Sequence, residues 1–93
     1  MTFTVKFTTS FKKSYKLMIK RGLDISLLDE VVEKLKIEET LDAKYRDHLL
    51  LGKYYGFHEC HIKPDWLLVY YYNYQTQTLV LVDTGTHSDV LKM

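Results

Sequence analysis

The chain has 93 residues, 46% of them hydrophobic and 27% charged, with a formal net charge of +1. That size suits one compact globular domain spanning residues 1–93 and leaves no room for a second. No apolar run approaches the roughly 20 residues of a membrane span, the opening "MTFTVKFTTS" alternates instead of forming a signal-peptide block, and the lone Cys60 excludes an internal disulfide framework; the expected location is the cytoplasm.

Charge is unevenly placed along the chain. Residues 1–21 carry Lys6, Lys12, Lys13, Lys16, Lys20 and Arg21 with no acidic residue, whereas residues 22–43 carry seven acidic residues against Lys34 and Lys36. A basic segment beside an acidic one suits a polyanion-facing surface, or two helices that pair with each other.

Phe3, Val5 and Phe7 alternate with polar residues and predict a half-buried strand. Ser10 or a threonine just before it then caps a helix to Arg21, with Phe11, Tyr15, Met18 and Ile19 on one face and Gly22 as its stop. Asp24 caps a second helix, whose Leu27, Leu28, Val31, Val32 and Leu35 keep helical spacing. From Glu38 to Gly52 the pattern breaks into a loop expected to return Leu49 to Leu51 to the core. Three strands are expected beyond it, at about 54–62, 66–74 and 78–82, joined by Lys63-Pro64-Asp65 and Gln75-Thr76-Gln77. Connections that short make antiparallel hairpins. The expected fold is therefore α+β in the order β-α-α-β-β-β, a helical hairpin packed on one small antiparallel sheet.

Chemistry concentrates in "HIKPDW", residues 61–66, around the only proline. Pro64 presets the first central position of a turn and Asp65 suits the next, which accounts for those two residues without any function. His61 and Trp66 flank the turn, and two further histidines sit among polar neighbours, His48 in "KYRDHLL" and His87 in "DTGTHSD". A sheet fold can bring these loops to one end, where three histidines and a carboxylate would share a cleft. Trp66 and the run Tyr70, Tyr71, Tyr72 with Tyr74 fit strand packing, or a face on which bases stack. "HECH" offers a competing metal constellation, but alternation splits His58 and Cys60 from His61, no paired-cysteine spacing accompanies it, and no metal is expected. Cys60 in mid-strand suits an inert buried thiol.

The D-H-x-L-x-G, H-x-x-P-D-W and T-G-T-H-S-D motifs, in that order within "YRDHLLLGKYYGFHECHIKPDWLLVYYY" and "LVDTGTHSDVL", resemble the YafQ branch of the RelE/ParE toxin superfamily, with similarity across nearly the whole chain. The resemblance implies a toxin of a bacterial type II toxin-antitoxin module: a ribosome-dependent endoribonuclease, or mRNA interferase, that works without a cofactor. It implies a cognate antitoxin as inhibitor in a hetero-oligomeric complex, the ribosome and mRNA as further partners, and no membrane.

Carried over by residue, the resemblance makes His48, His61, Asp65 and His87 catalytic and puts Trp66 against the RNA. Where such toxins commonly carry an arginine four residues before the last histidine, this chain has Asp83, and where an aromatic residue usually follows, it has Leu91. Arg46, Lys44, Lys53 and Lys63 are the candidate replacements for the missing phosphate cation. The alternative expectation is a RelE-fold protein that binds antitoxin and ribosome but cuts weakly, because Asp83 replaces the family's usual arginine and breaks the cationic site; Asp83 is expected near His87.

Overall fold

Alternation at the N-terminus becomes β1 (Thr4–Phe7) in the structure, a computed structural model that describes residues 2–90 without the Lys53 side chain. Thr8 ends this strand and caps α1 (Thr9–Lys20), its Oγ1 accepting the Phe11 N–H at 2.9 Å while donating to the Val82 carbonyl at 2.6 Å. Gly22, at φ 80°, closes the helix by letting the Gly22 and Leu23 N–H groups turn back to the Ile19 and Met18 carbonyls. Phe11 and Met18 are buried, but Ile19, expected on the same face, is 53% exposed. The turn of the helix carries it past the edge of the core. Asp24 caps α2 (Ile25–Lys36) through Ser26, a hydrogen bond that holds the Asp24 carboxyl below the ordinary carboxylate range, and Leu28, Val31, Val32 and Leu35 are buried.

The sheet has five strands in the order β1-β5-β4-β3-β2, with β2 at His48–Leu49, β3 at His58–Lys63, β4 at Trp66–Asn73 and β5 at Thr78–Gly85. The antiparallel meander of β3, β4 and β5 follows the two short turns as expected. Two features differ from expectation. β1 lies parallel to β5, Thr4 opposite Thr78 and Phe7 opposite Leu81, so the sheet is mixed; the helical hairpin carries the chain from β1 to the opposite edge at β2, and the meander returns it to β5 beside β1. Inside the segment expected to be loop, β2 pairs antiparallel with β3, and 3-10 turns form at Ala43–Tyr45 and Gly52–Tyr54. Of Leu49 to Leu51 only Leu50 packs inward, while Leu49 and Leu51 are 54% and 79% exposed and Leu41 and Tyr45 take the core places instead.

Alternation along β4 divides the core. Trp66, Leu68, Tyr70 and Tyr72 meet the α1 and α2 side, whereas Leu67 and Val69 pack on the other face with Val90 of the short helix α3 (His87–Val90), Leu50 and Phe57. A bulge at Val69/Tyr70 leaves Val82 out of register, so Asp83 lies opposite Val69. Among the described residues no helix is long and apolar enough to cross a membrane.

Candidate active site

Register builds the site. His48 on β2 lies directly opposite Glu59 on β3, and His61 is two residues further along β3, so the three side chains share one face of the sheet. The ring centroids of His48 and His61 are 6.4 Å apart, and those of His61 and His87 are 5.4 Å apart, so the three imidazoles form a row with His61 in the middle. His48 and His87 are about half exposed and the His61 side chain is 10% exposed.

His87 reaches the row because the β5 exit is tightly built. A Cβ on Gly85 would lie 2.9 Å from the Asp89 Cβ, so only glycine lets α3 fold back this closely. Thr86 and Asp89 cap each other reciprocally, the Thr86 N–H donating to Asp89 Oδ2 at 3.1 Å and the Asp89 N–H to Thr86 Oγ1 at 3.2 Å. Arg21 at the end of α1 then pairs with Asp89 Oδ2 at 2.8 Å. Across the gap, Asp65 at the Pro64 turn accepts both the His87 backbone N–H, at 3.2 Å, and its Nδ1–H, at 2.7 Å. These bonds hold the Asp65 carboxyl below the usual range. A carboxylate can only accept here, so Nδ1 carries the hydrogen, and among the described residues Nε2 of the half-exposed His87 has no hydrogen-bond partner.

Lys44, Arg46 and Lys63 line a groove of about 570 Å³ that they share with Glu30, Tyr45, His61 and Pro64. Three of the four expected cations thus gather beside the row. The Lys53 side chain and Leu91 lie outside the described residues.

Trp66 takes the strand-packing place that its position in β4 suggests and not the RNA-facing one that the resemblance implies, and Asp83 is turned toward α1 instead of His87. Trp66 is 3% exposed and donates Nε1–H to Thr84 Oγ1 at 2.9 Å, which in turn donates to the Leu67 carbonyl at 2.7 Å. It stitches β4 to β5 beneath the site and offers no ring for a base to stack on. Asp83 is 7% exposed and accepts the Ser14 hydroxyl of α1 at 2.5 Å and the Thr84 N–H at 2.8 Å. Its carboxylate is committed to α1 and its own strand, and the carboxylate bonded to His87 is Asp65.

Glu59, Asp47 and the Thr86/Asp89 cap join the site in addition to the residues expected from the sequence. Asp47 accepts the hydroxyl of buried Tyr70 at 2.5 Å and so fixes the residue next to His48. The signals were present: T-x-x-D matches a capping pattern, and period-2 alternation sets Glu59 beside His61. His58 stacks on Tyr70 and stands apart from the row, and Cys60 is fully buried, its thiol pushed upward by that burial and by Asp47 and Glu59. Among the described residues no group of three or more His, Cys, Asp or Glu side chains is placed to hold a metal ion.

Residues 3–92 match the family described as "Bacterial toxin of type II toxin-antitoxin system, YafQ". The mRNA interferase toxin YafQ of Escherichia coli K12 is 34% identical over 86 residues, 90% of each chain. A metal-bound toxin from Helicobacter pylori superposes with a TM-score of 0.90 at 44% identity, covering 95% of this chain and 98% of that one. In the E. coli DinJ-YafQ toxin-antitoxin complex the matched chain gives a TM-score of 0.87 at 30% identity, covering 97% and 98%. With its motifs, topology and nearly full-length match in agreement, this chain belongs to the YafQ family of bacterial type II toxin-antitoxin toxins.

Proposed function

We propose that this single-domain chain is a ribosome-dependent mRNA endoribonuclease of the cytoplasm, silenced in a hetero-oligomeric complex with a cognate antitoxin. One observation carries the reading: Asp65 holds His87 by Nδ1, at 2.7 Å, and leaves Nε2 without a partner among the described residues, at the end of a histidine row beside a groove that carries Lys44, Arg46 and Lys63. The 2′-hydroxyl of the RNA attacks the adjacent phosphorus, the P–O5′ bond breaks, and a 2′,3′-cyclic phosphate forms. His87 Nε2–H gives its proton to the departing O5′, and the proton of the 2′-hydroxyl passes to the His48–His61 end of the row. Asp65 orients His87 and stabilises it while it is charged. Lys44, Arg46 and Lys63 hold the phosphate backbone, with Lys53 as a further candidate.

The weakly cutting alternative is less favoured: Asp83 does stand where the arginine would, but its carboxylate is bonded to Ser14 and Thr84, and Lys44, Arg46 and Lys63 offer other cations near His61. The test is to map mRNA 5′-ends in a translation reaction with and without the purified protein. New ends confined to translated codons are expected; an unchanged end profile with active ribosomes overturns the proposal. Co-expression with the product of the adjacent small gene relieves growth arrest if that product is the antitoxin.

A further inference from the structure

Glu59 is a carboxylate with only 4% exposure, and its Oε2 has no hydrogen-bond partner among the described residues. Its other oxygen, Oε1, lies 3.5 Å from His48 Nε2 and 4.0 Å from His61 Nε2. The opposite nitrogen of each ring is already engaged: His48 Nδ1 is 2.7 Å from the Arg46 carbonyl and His61 Nδ1 is 3.2 Å from the Pro64 carbonyl. A carbonyl only accepts, so both Nδ1 atoms carry hydrogen. Both Nε2 atoms therefore turn toward the same carboxylate oxygen. With no proton among them, three lone pairs would face one another around a carboxylate that is itself buried, an unfavourable arrangement.

Arg46 supports the same geometry. Its backbone is left-handed, at φ 49°, which aims its carbonyl at His48. Pro64, in the turn that also presents Asp65, does the equivalent for His61. Two loops thus set the two rings, and register brings Glu59 between them.

We infer that Glu59 is a positioning residue that holds His48 and His61 by their Nε2 atoms around a shared proton, making the two imidazoles one unit opposite His87. The inference deepens the ribonuclease reading and rests on it for its catalytic consequence. Among the described residues His87 Nε2 is the one histidine nitrogen of the row facing no protein acceptor, which suits it to the leaving group, while a single proton shared at two Nε2 atoms leaves one of that pair able to take the proton of the 2′-hydroxyl.

Nitrogen NMR of the histidine rings, recorded on the free protein in a chelating buffer near neutral pH, tests the arrangement without RNA. The wild type is expected to show hydrogen on both Nδ1 atoms of His48 and His61, with a proton shared at their Nε2 atoms. In Glu59→Gln, whose amide can donate to an imidazole, both Nε2 signals move to those of bare nitrogens and His87 does not change. Fully bare Nε2 atoms in the wild type, or identical ring signals in wild type and a folded Glu59→Gln, overturn the inference. In ribosome-dependent cleavage, Glu59→Gln should lower kcat roughly 10–10²-fold, as loss of a histidine-orienting partner does elsewhere, with KM nearly unchanged and partial recovery in Glu59→Asp. A raised KM at constant kcat overturns the positioning role. If the ring signals shift as stated while the wild type cuts no RNA, the arrangement stands and the ribonuclease reading fails.

Discussion

Asp83→Arg installs the residue that YafQ-like toxins commonly carry at this position, and the structure predicts that it damages the protein instead of improving it. Asp83 is 7% exposed and its Oδ1 accepts from both Ser14 and Thr84, so the change strands two donors and forces a guanidinium into the joint between α1 and β5. Hydrogen bonds to a charged group contribute about 1.5–3 kcal/mol each, and breaking a buried charged contact from one side costs about 3–5 kcal/mol. Against a total stability of roughly 5–15 kcal/mol the loss is severe, and it lowers the melting temperature by on the order of 20 °C. Asp83→Asn keeps the acceptor oxygen and costs only about 1 kcal/mol. Calorimetry on the variants and Ser14→Ala gives the coupling, because Ser14→Ala should cost much less in an Asp83→Asn background than in the wild type. Cleavage in a translation reaction at a temperature where every variant is folded gives the second readout. If Asp83→Arg melts with the wild type and cleaves faster, the carboxylate does not anchor α1 and the position belongs to the phosphate site.

The basic groove predicts a salt dependence: combining Lys44→Ala, Arg46→Ala and Lys63→Ala should flatten the plot of log affinity for single-stranded RNA against log salt by a slope of about 2, at roughly 0.7 per contact, and an unchanged slope removes these residues from the interface. Asp65 predicts acid sensitivity of the His87 tether. Its carboxyl is depressed in the folded state, so its stabilising contribution is complete above the unfolded value of about 3.9 and is lost as pH falls through the lower folded value; carboxyl NMR should place the Asp65 midpoint below about 3.9, and a midpoint at or above that contradicts the bond. Cys60, fully buried with its thiol pushed upward, should resist a thiol reagent in the native protein and react on unfolding; rapid native labelling counts against the packing.

Most of the helical layer was legible because its signals are local: Thr8 and Asp24 cap, Gly22 stops, and the apolar stripes repeat at helical spacing. The meander was legible for the same reason, since Lys63-Pro64-Asp65 leaves little choice but a hairpin. β1 was readable as a strand but not its direction, because its partner lies 74 residues away, Thr4 opposite Thr78. β2 is two exposed residues long and makes sense only once β3 is beside it. The site shows the same division. Motifs single out His48, His61, Asp65 and His87, and strand register with the Pro64 turn and the β5 exit sets them side by side. Trp66 and Asp83 carry functional-looking chemistry, yet their partners are Thr84 and Ser14. Glu59 was overlooked because a carboxylate in mid-strand has no local signature, and its meaning comes from His48 across the ladder.

The central claim is that His87 Nε2 protonates the departing 5′-oxygen, and a leaving-group substitution tests it most directly. His87→Ala should slow ribosome-dependent cleavage of an ordinary message by roughly 10²–10⁴-fold while the protein stays folded and ribosome-bound. A message with sulfur in place of the scissile 5′-oxygen needs no such proton, because a thiol with a pKa of about 8.5 leaves readily as its anion. On that substrate His87→Ala should cleave at nearly the wild-type rate. An equal defect on both substrates, or no defect on the ordinary message, would contradict the assignment.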